Sequence, residues 1–124
     1  MARGSRPRVL LVGCGRQGEK HLRAFLSLGS VDLTVCDAVE ERAKRLGLKY
    51  GVPYTSDYEA ALAGAELDAV DICTPTKTHY ELVMKALKAG LHVFCEKPLA
   101  PTYEQAKEIA EEARRQDKMV MVGF

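Results

Sequence analysis

Gly13, Gly15 and Gly18, in the stretch VGCGRQGEKH, and Asp37, 24 residues after the first of them, have the types and spacing that could hold a dinucleotide. A lone G-x-G-x-x-G run is common at sharp strand-to-helix turns, where positive φ or close backbone approach is needed, so its context decides. Between a strand and a helix each glycine has a task. Gly13 permits the tight turn, Gly15 lets backbone approach a pyrophosphate, and Gly18 allows the helix to pack closely on the strand. Arg16 and Gln17 complete the loop at the helix start, where free N–H groups and the helix dipole favour phosphate. Asp37 comes close to the separation of about 20 residues expected of a carboxylate that accepts from ribose 2′- and 3′-hydroxyls. It would repel a 2′-phosphate, so NAD is preferred, while NADP stays open because Arg42 carries a guanidinium nearby.

The flanking sequence supplies that context. Arg8 to Gly13 is a short continuous apolar run, as in a parallel strand covered on both faces, and Leu22, Phe25, Leu26 and Gly29 then recur at helical spacing. Further strands are read at DLTVCD, at PYTS as a short candidate, and at LDAVDICTP, LHVFCEKP and KMVMVGF. Val39, Ala43, Leu46 and Tyr50 mark a second helix, and Asp57 caps a short third one whose Gly64 suits a left-handed stop. Thr78 and Glu81 form a capping box for a helix closed by Gly90. Thr102 and Gln105 offer another for the last helix, whose inner face is Ala106, Ile109, Ala110 and Ala113. This alternation predicts a doubly wound α/β fold, six parallel strands in the order 3-2-1-4-5-6, with a crevice between strands 1 and 4 at their carboxyl ends. An S-adenosylmethionine-dependent methyltransferase also places an acid after its second strand. Here, however, TPTKTH follows the fourth strand in place of an Asn/Asp-Pro-Pro-aromatic loop.

Composition narrows the partners. The 124 residues, 47% hydrophobic and 28% charged, suffice for one core, read as a domain over 8–124 behind a basic N-terminal tail, 1–7. Eighteen basic against seventeen acidic residues leave a net charge of +1, which gives no global field for nucleic acid or an anionic membrane. The basic start MARGSRPR leads into no signal-type apolar stretch, and no run approaches the roughly 18 to 20 apolar residues of a membrane span, so a cytoplasmic protein is expected. Cys14, Cys36, Cys73 and Cys95 show no C-x-x-C spacing and are read as buried thiols rather than as disulfides or a metal site.

The segments VGCGRQGEKH, CDAVEERAKRLGLKYGVP, VDICTPTKTHYELVMKALKAGLHVFCEKPLA and MVMVGF together resemble the N-terminal domain of the Gfo/Idh/MocA oxidoreductases, relatives of glucose-fructose oxidoreductase and inositol dehydrogenase. The resemblance implies a Rossmann-type NAD(P)-binding domain of a dehydrogenase that moves hydride between a nicotinamide and a sugar, polyol or related hydroxyl compound. It implies that Glu96, Lys97 and Pro98 border the nicotinamide. Lys97 is then the catalytic residue that polarises the substrate oxygen, Glu96 orients nearby groups, and the Lys97–Pro98 bond is a candidate for the cis isomer. By the same likeness Thr74 and Pro75 line the nicotinamide-side ribose and adjacent phosphate, while His79, also in the family pattern, is read as structural. Members of the family continue into a second α/β domain that supplies substrate specificity, oligomer contacts and a catalytic aspartate and histidine. This sequence ends at Phe124, so the expectation is a cofactor half that binds dinucleotide without turning over alone. A stand-alone nucleotide-binding sensor or regulatory module is the alternative, and a homo-oligomer is compatible with either.

Overall fold

The computed structural model describes residues 6–64 and 66–123. Most of the expected tail lies outside the described residues, and its last two members are fastened down. The Arg6 guanidinium donates to the Asp32 carboxylate at 2.8 Å and to the Gly29 and Val31 carbonyls, and the Pro7 carbonyl accepts from the Asp32 N–H. Strands β1 (Arg8–Val12), β2 (Asp32–Cys36), β3 (Tyr54–Thr55), β4 (Ala69–Ile72), β5 (His92–Glu96) and β6 (Val120–Gly123) form one parallel sheet in the order β3-β2-β1-β4-β5-β6, as expected. Helices α1 (Arg16–Leu28), α2 (Glu40–Tyr50), α3 (Tyr58–Gly64), α4 (His79–Lys88) and α5 (Tyr103–Gln116) connect them, with a 3-10 turn at Thr76–Thr78 before α4. Among the described residues no helix is long and apolar enough to cross a membrane.

Strand β1 shows why its sequence is a continuous apolar run. Val9 and Leu11 pack with Leu22 of α1 and Ala43 and Leu46 of α2, whereas Leu10 and Val12 join Val83 and Leu87 of α4 and Ile109 of α5 in the core on the other face. The second face is covered as far as β6. The first is not, because α1 and α2 serve β1 to β3 and leave Met119 and Met121 60% and 54% exposed. The apolar stripe read on α1 therefore holds at Leu22, which is fully buried, and at Phe25, which packs on the same core, but not at Leu26, which is exposed; Leu28, off that stripe, is 70% exposed.

Several helix ends differ from expectation. Asp57 Oδ1 accepts from the Ala60 N–H at 3.0 Å, and Gly90 takes φ +84 after α4, both as read. Gly64 lies inside α3 and is not left-handed. The Thr78 box does not form, because the 3-10 turn puts Thr78 in a helical conformation and its hydroxyl lies 2.6 Å from both Thr74 Oγ1 and the Pro75 carbonyl. Thr102 Oγ1 accepts from the Gln105 N–H, but the reciprocal half of that box is missing and Gln105 Oε1 is buried without a partner. On α5 Ala110 is exposed, and the buried stripe takes in Glu112, held by Arg115 and Gln116. The two ends of α1 give a direct comparison. Leu22→Ala should cost about 2 to 5 kcal/mol in urea unfolding, and Leu28→Ala about 0.5 kcal/mol or less.

Candidate functional site

The loop after β1 is glycine at the positions where nothing else fits. Gly13 has φ +103, and a β-carbon there would sit 2.7 Å from the Cys73 carbonyl oxygen. Its N–H donates to the Cys36 carbonyl at 2.8 Å while the Cys73 N–H donates to that of Val12 at 2.7 Å, so the turn is tied to both neighbouring strands. A β-carbon on Gly18 would lie 1.7 Å from the Gly13 oxygen, which measures how closely α1 approaches β1. Gly15 is different: it is exposed, and a β-carbon there would meet nothing within 4 Å. As the N-cap of α1 it brings no capping side chain, and the first helical bond runs from the Glu19 N–H to the Gly15 carbonyl. The N–H groups of Arg16, Gln17 and Gly18 are left without an intrahelical acceptor, next to open space that an anion's oxygens could fill.

Glu19, in the same first turn, would oppose an anion if it were free. It is bound by Lys49 at 2.8 Å and by the Tyr50 hydroxyl at 2.6 Å, with Arg45 at 3.5 Å. These hydrogen bonds, Lys49 first, pull its carboxyl down to about 2. The end of α2 thus neutralises the acid beside the loop and fixes α1 to α2.

Asp37 follows β2 and is 8% exposed. Its Oδ2 accepts from the Cys14 N–H and its Oδ1 from the Val39 N–H, each at 2.8 Å, so the carboxylate is held in one orientation. Each oxygen still has a lone pair for a further donor. A cleft of about 560 Å³ opens over it, lined by Gly13, Gly15, Asp37, Arg42, Thr74 and Pro75. Tyr58 and Leu82 also line it, joined by a 2.7 Å bond from the tyrosine hydroxyl to the Leu82 carbonyl. Tyr58 stands at the start of α3, just beyond the carboxyl end of β3, and that position is the sequence signal that it faces the crevice.

The remaining expected residues fall outside that cleft. Arg16 and Gln17 follow Gly15 on the exposed first turn, and Gly18 is buried in the helix–strand contact. Glu96 and Lys97 stand at the end of β5, where the Lys97–Pro98 bond is cis, Lys97 is exposed, and its N–H donates to the Gly123 carbonyl at 3.1 Å. His79, 1% exposed, bridges the two loops: Nε2 is 2.8 Å from the Thr74 carbonyl and Nδ1 2.9 Å from that of Pro98. That is a structural place, as its reading anticipates.

One polar cluster has no counterpart in the sequence reading. His21 of α1 lies between Asp71 of β4 and Glu96 of β5, and Cys73 is 3.3 Å from the same ring. The signals were a carboxylate inside an otherwise apolar strand and a histidine one turn beyond Gly18. His21, Asp71 and Cys73 place donor atoms within 4.8 Å of one another. All four cysteines are free, and burial pushes the thiols of Cys14 and Cys95 up to about 12 and that of Cys36 to about 11.

The loop geometry separates two glycines. Gly18→Ala must displace backbone and should cost about 3 kcal/mol or more in urea unfolding, while Gly15→Ala should stay within about 1 kcal/mol.

Residues 7–124 match the family GFO_IDH_MocA, described as an oxidoreductase family with an NAD-binding Rossmann fold. A D-glucoside 3-dehydrogenase of Escherichia coli K12 is 38% identical over 94% of this chain and 34% of its own length. The crystal structure of the WlbA dehydrogenase of Bordetella pertussis, in complex with NADH and UDP-GlcNAcA, superposes with a TM-score of 0.90 at 28% identity, over 95% of this chain and 35% of that one. A biliverdin reductase of Synechocystis, crystallised with biliverdin and NADP+, gives 0.86 at 29% identity, over 93% of this chain and 37% of that one. The chain spans about a third of the length of the relatives it matches, and the part it spans is their dinucleotide-binding domain. With its glycine loop, its sheet order and this match over nearly all its residues, the chain belongs to the Gfo/Idh/MocA oxidoreductase family as an NAD(P)-binding Rossmann domain.

Proposed function

We propose that this chain is the cofactor-binding part of a cytoplasmic dehydrogenase that prefers NAD to NADP and acts on a hydroxyl of a sugar or polyol. The observation that carries the cofactor preference is Asp37, held by the Cys14 and Val39 N–H groups at the floor of the cleft. A carboxylate so placed accepts from two ribose hydroxyls and repels a phosphate there. Arg42, on the wall of the same cleft, is the feature through which NADP could compete.

A bound nicotinamide supplies the hydride acceptor or donor, and the chain's own residues bind and orient. The N–H groups of Arg16, Gln17 and Gly18 take the pyrophosphate, Thr74 and Pro75 border the second ribose, and Glu96 and Lys97 stand at the reacting end. The Lys97 ammonium donates to the substrate oxygen and stabilises negative charge that develops on it. Support for a carbohydrate substrate comes from the relatives, one named for a D-glucoside and one crystallised with a nucleotide sugar. The remaining two thirds of such a protein would hold the substrate against the nicotinamide, so the chain alone binds cofactor and does not turn over.

Calorimetric titration should give NAD+ binding tighter than NADP+ by about 1 to 3 kcal/mol, roughly 5-fold to 150-fold. Asp37→Asn, which keeps one acceptor oxygen but removes the charge, should shrink the ratio to about 3-fold or less. Equal affinities in the unaltered chain would reject the role of Asp37, and binding of neither cofactor would reject the reading as a whole.

A further inference from the structure

Both nitrogens of the His21 ring face carboxylate oxygens at hydrogen-bond length, Nδ1 to Asp71 Oδ2 at 2.7 Å and Nε2 to Glu96 Oε2 at 2.6 Å. Ionised carboxylates only accept, and a neutral imidazole has a single N–H. The trio therefore holds one proton more than a neutral ring with two carboxylates would. A cation other than a proton fits poorly: two ligands of one tetrahedral zinc ion stand about 3.3 Å apart, and the His21–Asp71 contact is well inside that. Asp71 is 2% exposed and its other oxygen is 3.7 Å from the Cys73 thiol, so among the described residues its strong partner is the ring.

Every charged or titratable group placed against the ring bears on where that proton sits. Burial lowers the His21 pKa, but hydrogen bonds and charge from Asp71 and then Glu96 outweigh it, and the net direction is up. Burial likewise raises Asp71, more than His21 lowers it. The Cys73 thiol is raised by burial and by Asp71, so it stays neutral, and Lys20 of α1 lines the same groove. Phe94 packs its ring 5.8 Å from the imidazole and closes one side.

Glu96 is the last residue of β5 and leads into the turn that carries Lys97, and two histidine side chains grip this segment. His79 reaches the Pro98 carbonyl from the α4 side, and His21 reaches the Glu96 carboxylate from the α1 side. We propose that His21 is a positioning residue, an imidazolium that donates from both ring nitrogens and clamps Glu96 to Asp71, thereby fixing the turn on which Lys97 is presented. The consequence for catalysis rests on the dehydrogenase reading above; the clamp itself does not. Because the folded-state pKa is raised, the clamp's contribution to stability is complete below pH 6.5 and is lost as pH rises through the raised value.

The test is ring-nitrogen NMR of the chain as it stands, with amide hydrogen exchange. His21 should carry protons on both nitrogens at pH 7.5, and Glu96→Gln, at a partly exposed position, should lower its titration midpoint by about one unit or more. His21→Gln should speed exchange of the Lys97 amide about 10-fold or more while leaving the Cys14 amide within about 2-fold. It should also weaken NADH about 10-fold while leaving ADP-ribose, which lacks the nicotinamide, within about 2-fold. A neutral His21 at pH 7.5, an unchanged Lys97 amide, or a ring shift on adding zinc that disappears in Cys73→Ser would each overturn the proposal. If NADH and ADP-ribose both fail to bind the unaltered chain, the dehydrogenase reading falls, and the ring and amide measurements still decide the clamp.

Discussion

The contact of Gly18 with the Gly13 carbonyl sets the geometry on which the rest of the molecule depends. With no β-carbon between them, α1 starts against the end of β1, and the backbone must double back through a left-handed Gly13 whose own missing β-carbon admits the Cys73 carbonyl. That close approach puts the Cys14 N–H within reach of Asp37, so a carboxylate from β2 is fixed beside a loop from β1. Any side chain at Gly13 or Gly18 would push apart the three strand ends that make the crevice.

Much of this was legible in the sequence because the physics involved is local or periodic. Parallel strands buried on both faces are continuous apolar runs, the lengths between them leave right-handed crossovers as the economical connection, and two successive halves of three such strands give the order 3-2-1-4-5-6. The glycine loop and Asp37 were legible for the same reason, as residue types at fixed distances from one strand. Gly64, Thr78 and Ala110 were misread because capping and facing depend on where the neighbouring segments go: a 3-10 turn before α4 redirects the Thr78 hydroxyl, and α5 buries Glu112 beside Ile109 and Ala113 while leaving Ala110 exposed. The His21 cluster was out of reach because its members lie 50 and 75 residues apart and meet only after β4 and β5 are placed beside α1.

The two sides of the sheet divide the labour. On the α3–α5 side the core is closed from β1 to β6 and contains His79, whose ring ties the loops after β4 and β5 together. On the α1–α2 side burial ends near β4, and beyond it stand Phe94, Met119 and Met121 with the His21 cluster at their upper end. The Asp37 half of the crevice is thus built on the well-packed centre of the domain. The end that carries Lys97 is built where the sheet is open and is held by two histidines in place of a hydrophobic cover.

The glycine-loop backbone from Gly13 to Gly18 and the Asp37 carboxylate, fixed by the Cys14 and Val39 N–H groups, form a shape that suits a dinucleotide before one binds. The most direct measurement is an amide-resolved NMR titration of the chain with NADH. Perturbations should concentrate at the amides of Gly13 to Gly18, at Asp37 to Val39 and at Thr74, with the rest of the sheet unchanged. Saturable shifts confined to the open face around Phe94 and Met121, or no shifts at millimolar NADH, would contradict the account.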